Sequence, residues 1–598
     1  MPTRLSLLLI ALLGLLPYVS TIKLPPIPSF WAEWAAVVIA LAWLASLRRP
    51  ALVAATPFAA RSFWSIGSTP SGPLAIPVAV FAFAAFGAVL LIQLVMQRPM
   101  LMGAPVLVLL ALVLAGLVCI AGAKVRAHGE TARLLDAWAI AVVIALVLNL
   151  AAVLLERQGW HLYIHTWGPR EPRVRAEGLF GQPNHLAVFA GLASVAAHYL
   201  WMRGRLPAVG HAMVAFATGL LIAGSASRAG MLLWLAGTVL SALALRERDD
   251  RRRGWGLLVV SVMLFFLGQA LWKLTDSGAA ATVTVLRSDS LGRIELLRDS
   301  WALITRHPLA GVGYGNFMSA RWTELSTSLF EPAANHAHNA IAQIAVELGL
   351  IGALAVLVPL CWALWRCARV VTRRGVAPEQ FLAAAVALML AGYSLVEYPL
   401  WYTFFLLPFA LMLGLVEQPD LRPGVTPLSR VLRGVGFALS LAACAVVAVD
   451  YHRSETIYTS LELQQREGRG AAVRIPMQEA AAISVLSAFD LYANLMYSRA
   501  LAPDGLLMRY KLDFTERAML SMTNEETIGR QVALLVVADD LDAARELLAR
   551  THRNPDLERN TRDILGRLAH LHPDIVAFVK TLPALPPKPQ AQAQAQGQ

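Results

Sequence analysis

The chain has 598 residues, of which 57% are hydrophobic and 15% charged, with a formal net charge of +12. A mean hydropathy of +0.57 excludes a soluble globular protein of this size and assigns the chain to the integral membrane class. The positive charge invites a nucleic-acid reading, but its placement makes it a topological signal and excludes nucleic acid as a partner.

Apolar runs recur from the N-terminus to Val449, near 5–20, 30–47, 73–96, 103–123, 135–155, 184–201, 208–224, 229–245, 254–274, 338–365, 380–396, 401–416 and 432–449. That makes about thirteen runs of the length that crosses a hydrocarbon layer as a helix. The predicted fold class is all-α, a polytopic membrane helix bundle over 1–449 followed by a soluble helical domain over 450–582. No small-residue cleavage site follows the first run, and Pro25-Pro26-Ile27-Pro28 leads straight into the second, so the first is read as a retained helix.

Basic residues gather in alternate loops. Arg48, Arg49 and Arg61 follow the second run, Lys124, Arg126 and Arg133 the fourth, and Arg203 and Arg205 the sixth. Arg246 to Arg253 follow the eighth, Arg366 to Arg374 the tenth and Arg422 to Arg433 the twelfth. The positive-inside rule puts these loops and the N-terminus in the cytoplasm and the remaining loops outside. Cys119, Cys361, Cys367 and Cys444 lie in or beside the runs without metal-ligand spacing, so neither a disulfide framework nor a metal site is indicated.

The outward loops carry the polar motifs. The first holds Arg170, Arg173 and Arg175, then Gly178 to Asn184 (GLFGQPN); Pro183 marks a turn and Asn184 is the expected N-cap of the sixth run. Gly224-Ser225-Ala226-Ser227-Arg228-Ala229-Gly230 joins the seventh and eighth runs with almost no loop. Arg228 there is either a snorkelling anchor or an anion-binding guanidinium flanked by small residues. The longest outward loop, 275–337, contains Leu291-Gly292-Arg293, an amphipathic stretch through Trp301, and His307 to Phe317 (HPLAGVGYGNF). Its glycines do not form a nucleotide loop, because no Gly-Lys-Ser/Thr follows.

Asn335-His336-Ala337-His338-Asn339 then leads into the tenth run. Two imidazoles and two amides at the lip of an apolar segment are either a helix-capping cluster, with Asn335 or Asn339 as cap, or a catalytic one in which a histidine serves as base. Glu397-Tyr398-Pro399-Leu400-Trp401-Tyr402 forms the turn between the eleventh and twelfth runs. Trp401 fits an interfacial aromatic belt, whereas an acid at the membrane edge needs a partner or a task. All these motifs fall on the outer side, although the orientation was set by arginines in the opposite loops. Beyond Val449, Leu534, Val537, Leu541, Ala544 and Leu548 keep helical spacing, and the Ala-Gln-rich tail 583–598 is expected to be disordered.

Taken together and in order, Gly-Gln-Pro-Asn before a run, Ser-Arg-x-Gly at a junction, His-Pro-Leu-x-Gly-Val-Gly in a large loop, His-x-His-Asn and Glu-Tyr-Pro-Leu-Trp-Tyr resemble the bacterial O-antigen ligase and polymerase superfamily. The resemblance is strongest to its protein O-oligosaccharyltransferase branch (PglL) and covers nearly the whole chain, including a Pro-rich N-terminal segment with Glu33. It implies a transmembrane glycosyltransferase domain over 1–449, with 275–337 as a large periplasmic loop. The implied reaction is metal-independent, cofactor-free transfer of an oligosaccharide from undecaprenyl pyrophosphate to Ser/Thr hydroxyls of an exported or pilin-like protein, on the periplasmic face of the bacterial inner membrane. By motif, it makes His338 the general base, with His336 as the next choice, and Arg228 a ligand of the pyrophosphate. Arg175, Gln182, Asn184, Arg293, Asn339, Glu397, Tyr398 and Tyr402 would line the site. Lys23 and Leu24 stand where some relatives have a histidine, and no role is assigned to them. The alternatives are a ligase or polymerase acting on lipid A core or polysaccharide, and a transporter of lipid-linked sugars, which would need broken helices or ionisable groups at mid-membrane.

Overall fold

The computed structural model describes residues 3–47, 76–98, 101–160, 162–163, 175–245, 251–275, 279–325, 334–417, 427–466 and 487–585. Arg48, Arg49, Arg61, Arg170, Arg173 and the tail beyond residue 585 lie outside them, so the readings made there are not addressed. Among the described residues there are helices and no β-strand.

All thirteen apolar runs are helical. In chain order the helices are α1 (Arg4–Leu13), α2 (Phe30–Ser46), α3 (Val78–Val95), α4 (Gly103–Ala127), α5 (Thr131–Arg157), α6 (Pro183–Met202), α7 (Ala208–Ser225) and α8 (Arg228–Ala244). They continue with α9 (Arg251–Thr275), α10 (Ala279–Arg306), α11 (Phe317–Glu324), α12 (Ala340–Val371), α13 (Pro378–Tyr393), α14 (Thr403–Val416) and α15 (Pro427–Arg466). The expected large loop is therefore mostly α10 and α11. Among the described residues, eight helices are long and apolar enough to span by themselves: α3 to α7, α9, α12 and the Gly434–Thr459 part of α15. The protein is a multi-pass membrane protein.

The remaining apolar helices are shorter than a span needs, and the reason is visible in their surroundings. Every residue of α14 from Phe404 to Val416 is buried, and α13 is buried over most of its length, so these two are shielded by neighbours and need not match the bilayer alone. Close approach demands small residues: a Cβ on Gly414 would lie 2.0 Å from the Cys119 carbonyl oxygen, and one on Gly122 2.8 Å from that of Leu411, which fixes α4 against α14.

Two capping contacts define one end of the bundle. Glu417, after α14, accepts from Val78 N and, at 3.0 Å, from Ala79 N at the start of α3. At the end of α4, Arg126 donates to the Leu415 carbonyl at 3.2 Å. The polar motifs gather at the other end of α14, about 20 Å away for a helix of 14 residues.

Helix α12 is broken. Gly349 has φ 70° and ψ 175°, and the gap is filled by the segment after α10: Val312 N donates to Val346 O (2.9 Å), Gly313 N to Glu347 O (3.1 Å), and Leu350 N to Pro308 O (2.8 Å). Gln93 of α3 closes it from the other side, donating to Glu347 O at 2.9 Å and accepting from Tyr314 N at 3.0 Å. Non-helical backbone at membrane depth is stable when protein satisfies its polar groups, and the glycine-rich motif does this.

Helix α15 runs without interruption through residues 449 and 450 and is followed by α16 (Asp490–Ala500), α17 (Met508–Ser521), α18 (Glu525–Val537), α19 (Leu541–Ala549), α20 (Pro555–Leu568) and α21 (Pro573–Thr581). Ile528, Val532, Ala544, Leu548, Ile564, Leu565 and Phe578 form a separate apolar core, into which α11 inserts Trp322. Asp490 accepts from Met102 N (2.8 Å) and Gly103 N (2.9 Å), capping α4 at the end opposite Arg126. The C-terminal helices thus dock on the same end as the polar motifs.

Gly349→Ala places a Cβ 2.2 Å from the Leu309 carbonyl oxygen in a left-handed backbone. The expected result is a loss of at least about 1–3 kcal/mol, read as a lower Tm of the detergent-solubilised protein, with Gly505→Ala, which has open space around it, as the neutral control.

Candidate active site

Glu397 lies between α13 and the 3-10 turn Pro399–Trp401 and is 3% exposed. Its Oε1 accepts from Asn184 Nδ2 at 2.9 Å and from the Arg293 guanidinium, while Oε2 faces His338 Nδ1 at 3.2 Å. A carboxylate only accepts, so the proton between them belongs to His338 Nδ1, and Nε2 is left with its lone pair. That is the tautomer a general base needs. His338 also has φ 49°, an uncommon backbone for a non-glycine residue.

Asn184 links this carboxylate to the arginines. Its Oδ1 accepts from Arg175 Nη2 at 3.0 Å, and Arg175 Nε donates to the Ser225 carbonyl at 2.8 Å. Arg175, Arg228 and Arg293 line one open cleft with Asn184 and the Ala226–Ala229 turn. Ser227 caps α8, accepting from Gly230 N at 3.1 Å, so the positive end of that helix opens at the same place. Three guanidinium groups and a helix N-terminus therefore face one cleft.

Asn184 was expected to cap α6, but Gln182 does so, its Oε1 accepting from His185 N at 3.2 Å. Pro183 takes the first helical position, which moves the cap one residue before it and frees the Asn184 amide for Glu397 and Arg175. Asn339 is the cap of α12, accepting from Ala342 N at 2.9 Å and donating to the Leu395 carbonyl at 2.9 Å. It ties the start of α12 to the end of α13.

His336 differs from His338. Its Nδ1 faces Asn335 Oδ1, its Nε2 is buried with no hydrogen-bond partner, and its ring lies 3.6 Å from the Tyr398 ring, edge to face. Burial, with a smaller electrostatic contribution from His338, lowers its pKa to about 3. Tyr398 hydrogen-bonds with Tyr402 and Gln182, and burial with the Glu397 charge pushes its hydroxyl up to about 12, so it stays a neutral donor. Tyr402 packs edge-on to His185 and is likewise held protonated by burial. Trp401, 41% exposed, stacks on Tyr314, in keeping with a place at the membrane interface.

Sequence reasoning assigned nothing to Lys23. It is 5% exposed, packs on Gly181 and is lowered to about 8 by burial, partly offset by Glu177 and Glu33. The available signal was a lysine between two apolar runs. Among the described residues no group of three or more His, Cys, Asp and Glu gathers as a metal site would require.

Residues 211–357 match the family described as O-antigen ligase, and residues 381–554 match the one described as virulence factor membrane-bound polymerase, C-terminal. A general O-oligosaccharyltransferase of Acinetobacter baylyi (strain ATCC 33305 / BD413 / ADP1) is 23% identical over 386 residues, covering 62% of this chain. Two segments of the chain are thus similar to the O-antigen ligase superfamily. Within the superfamily its likeness is to the O-oligosaccharyltransferase branch, and the match covers 65% of that relative's length. The O-antigen ligase segment contains Arg228, Arg293, His336, His338 and Asn339, the second segment contains Glu397, Tyr398 and Tyr402, and Arg175, Gln182 and Asn184 lie outside both.

The lowered pKa of His336 carries a sign. The unfolded histidine, near 6.5, takes up a proton that the folded one refuses until about 3. Its contribution to stability is therefore fully present above pH 6.5 and lost as pH falls towards 3. Thermal unfolding of His336→Gln between pH 7 and pH 4 should show a shallower fall in Tm than the parent protein; an identical slope would place the proton uptake elsewhere.

Proposed function

We propose that this protein transfers a preassembled oligosaccharide from undecaprenyl pyrophosphate to Ser/Thr hydroxyls of exported proteins, at the periplasmic face of the bacterial inner membrane. The observation that carries the reading is the Glu397–His338 pair set beside the three-arginine cleft, with Asn184 bonded to both. In the proposed step the acceptor oxygen forms a bond to the anomeric carbon while the bond from that carbon to the phosphate oxygen breaks. His338 Nε2 takes the hydroxyl proton, and Glu397 steadies the imidazolium so formed. Arg175, Arg228, Arg293 and the α8 N-terminus receive the charge on the departing diphosphate, which lets the step proceed without a metal ion.

His338 is preferred to His336 as the base because it has a carboxylate partner, whereas His336 is held neutral among aromatic rings. Tyr398, Tyr402 and Gln182 form the wall beside them. The region 450–582 is proposed as a periplasmic helical domain that offers a surface to the acceptor polypeptide. Both the basic loops and the docking of Asp490 at the site end support that placement. The transporter reading weakens at α12, since the break at Gly349 is plugged by the chain itself. Transfer to lipid A core uses the same chemistry and is favoured only by the description of the family matched over 211–357.

His338→Ala should abolish transfer while the protein inserts normally. Glu397→Gln, which lets an amide donate to Nδ1 and favours the wrong tautomer, should lower kcat by about 10²- to 10⁴-fold. Single-turnover kinetics of the purified variants check both, and full activity of His338→Ala would remove it as the base.

The acceptor is tested by supplying the purified enzyme with a lipid-linked oligosaccharide and either periplasmic proteins or deacylated lipid A core, in EDTA. Mass spectrometry should find glycan on protein Ser or Thr and undiminished turnover. Glycan on lipid A core alone would overturn the acceptor assignment, and activity that needs a restored divalent ion would overturn the metal-independent step.

A further inference from the structure

Arg321 is an arginine in an unusual place. It sits on the short helix α11, its side chain is 3% exposed, and its Nε pairs at 2.8 Å with Asp299 Oδ2, a carboxylate whose side chain is 8% exposed. Its Nη1 donates at 3.3 Å to the Ala334 carbonyl. These two contacts lead to the two halves of the site. Asp299 lies on α10 six residues after Arg293, about 9 Å along the helix. Ala334 lies four residues before His338, on the segment that carries both histidines.

The packing around Arg321 repeats the connection. Leu296 and Leu303 of α10, Phe317 and Ala320 of α11, and Ala337, which separates the two histidines, share one buried apolar cluster with Val346. The next residue on α11, Trp322, is buried in the core of the C-terminal helices, so α11 is anchored from both sides. A buried ion pair adds little stability compared with apolar residues of the same size, but it fixes register, because each charge tolerates only the partner geometry that satisfies it. A guanidinium fork bridging a carboxylate and a carbonyl does this for two segments together.

On the basis of the transfer reaction above, we propose that Arg321 is a positioning residue that holds the His336–His338 segment in register with the arginine arm of α10. It touches neither donor nor acceptor. Through Ala334 it sets where His338 points, and through Asp299 it sets where α10 places Arg293 against Glu397.

The test uses the full-length protein with Arg321→Lys and Asp299→Asn. A lysine has one donor nitrogen in place of the separate Nε and Nη1 that reach Asp299 and Ala334, so it cannot hold both partners at their present spacing, whereas Asp299→Asn leaves the arginine on Ala334. Three readouts are taken: kcat and KM for the lipid-linked donor, the Tm, and the rate at which diethyl pyrocarbonate modifies His336 and His338, followed by mass spectrometry. Arg321→Lys should lower kcat by about 10- to 100-fold, the cost of a small misplacement of a reacting group. It should also open the buried His336 Nε2 to modification. Asp299→Asn should leave His336 protected and raise the donor KM through Arg293. If His336 stays protected in Arg321→Lys and kcat is unchanged, or if both variants merely lower Tm in parallel, the positioning role is overturned. Failure of the parent protein to glycosylate any protein would count against the transfer reading instead, and the histidine labelling would still decide the role of Arg321.

Discussion

The buried carboxylate of Glu397 is the constraint on which the site depends. An ionised acid withdrawn from water at the edge of a bilayer is costly unless several donors reach it, and removing one donor leaves the charge exposed to that cost. Here the donors come from α6 through Asn184, from α10 through Arg293 and from the lip of α12 through His338. Elements separated by more than two hundred residues of sequence are brought together by one side chain at the end of α13. The acid thus organises the site electrostatically, and the orientation of the imidazole follows from that.

Two tasks are divided between neighbouring groups. The arginines and the α8 terminus face the open cleft, while the imidazole faces a wall of aromatic hydroxyls, and Asn184 touches both sides. The division is mirrored in the scaffold. Asn339 and the Ala340 N–H to Ser394 O bond, 2.8 Å, tie the histidine segment to the end of α13. The first part of α12 is further braced by the Pro308–Gly315 segment at the Gly349 break. A histidine carried on a frayed helix end would wander, but this one is held from three directions.

Much of this was legible in the sequence. Hydropathy located each apolar helix, because twenty or so apolar residues have few alternatives in a bilayer, and the one-sided distribution of polar motifs foretold that they would meet. What the sequence did not disclose follows from side chains choosing among partners. Asn184 fits the rules for a cap as well as Gln182 does, and only the placement of Glu397 decides which amide is left over. The break in α12 was hidden because Gly349 lies inside a segment of helical length and largely apolar composition, and its conformation depends on a segment some forty residues earlier. Arg321 reads as an ordinary surface residue until Asp299 and Ala334 are brought beside it.

The helices that frame the site are short: α8 has 17 residues, α13 has 16 and α14 has 14, or about 21–26 Å each against a hydrocarbon layer of about 30 Å. Enclosed helices of this kind need not match the lipid, and their shortness shows against a longer neighbour: α4, which is level with the end of α14 where Arg126 reaches Leu415, has 25 residues and so extends past the other end of α14 by about 16 Å. The site end of α14 is therefore set back beside a longer helix. In the proposed transfer, a ligand reaches that recess along the overhanging helix and meets the arginines and the imidazole together.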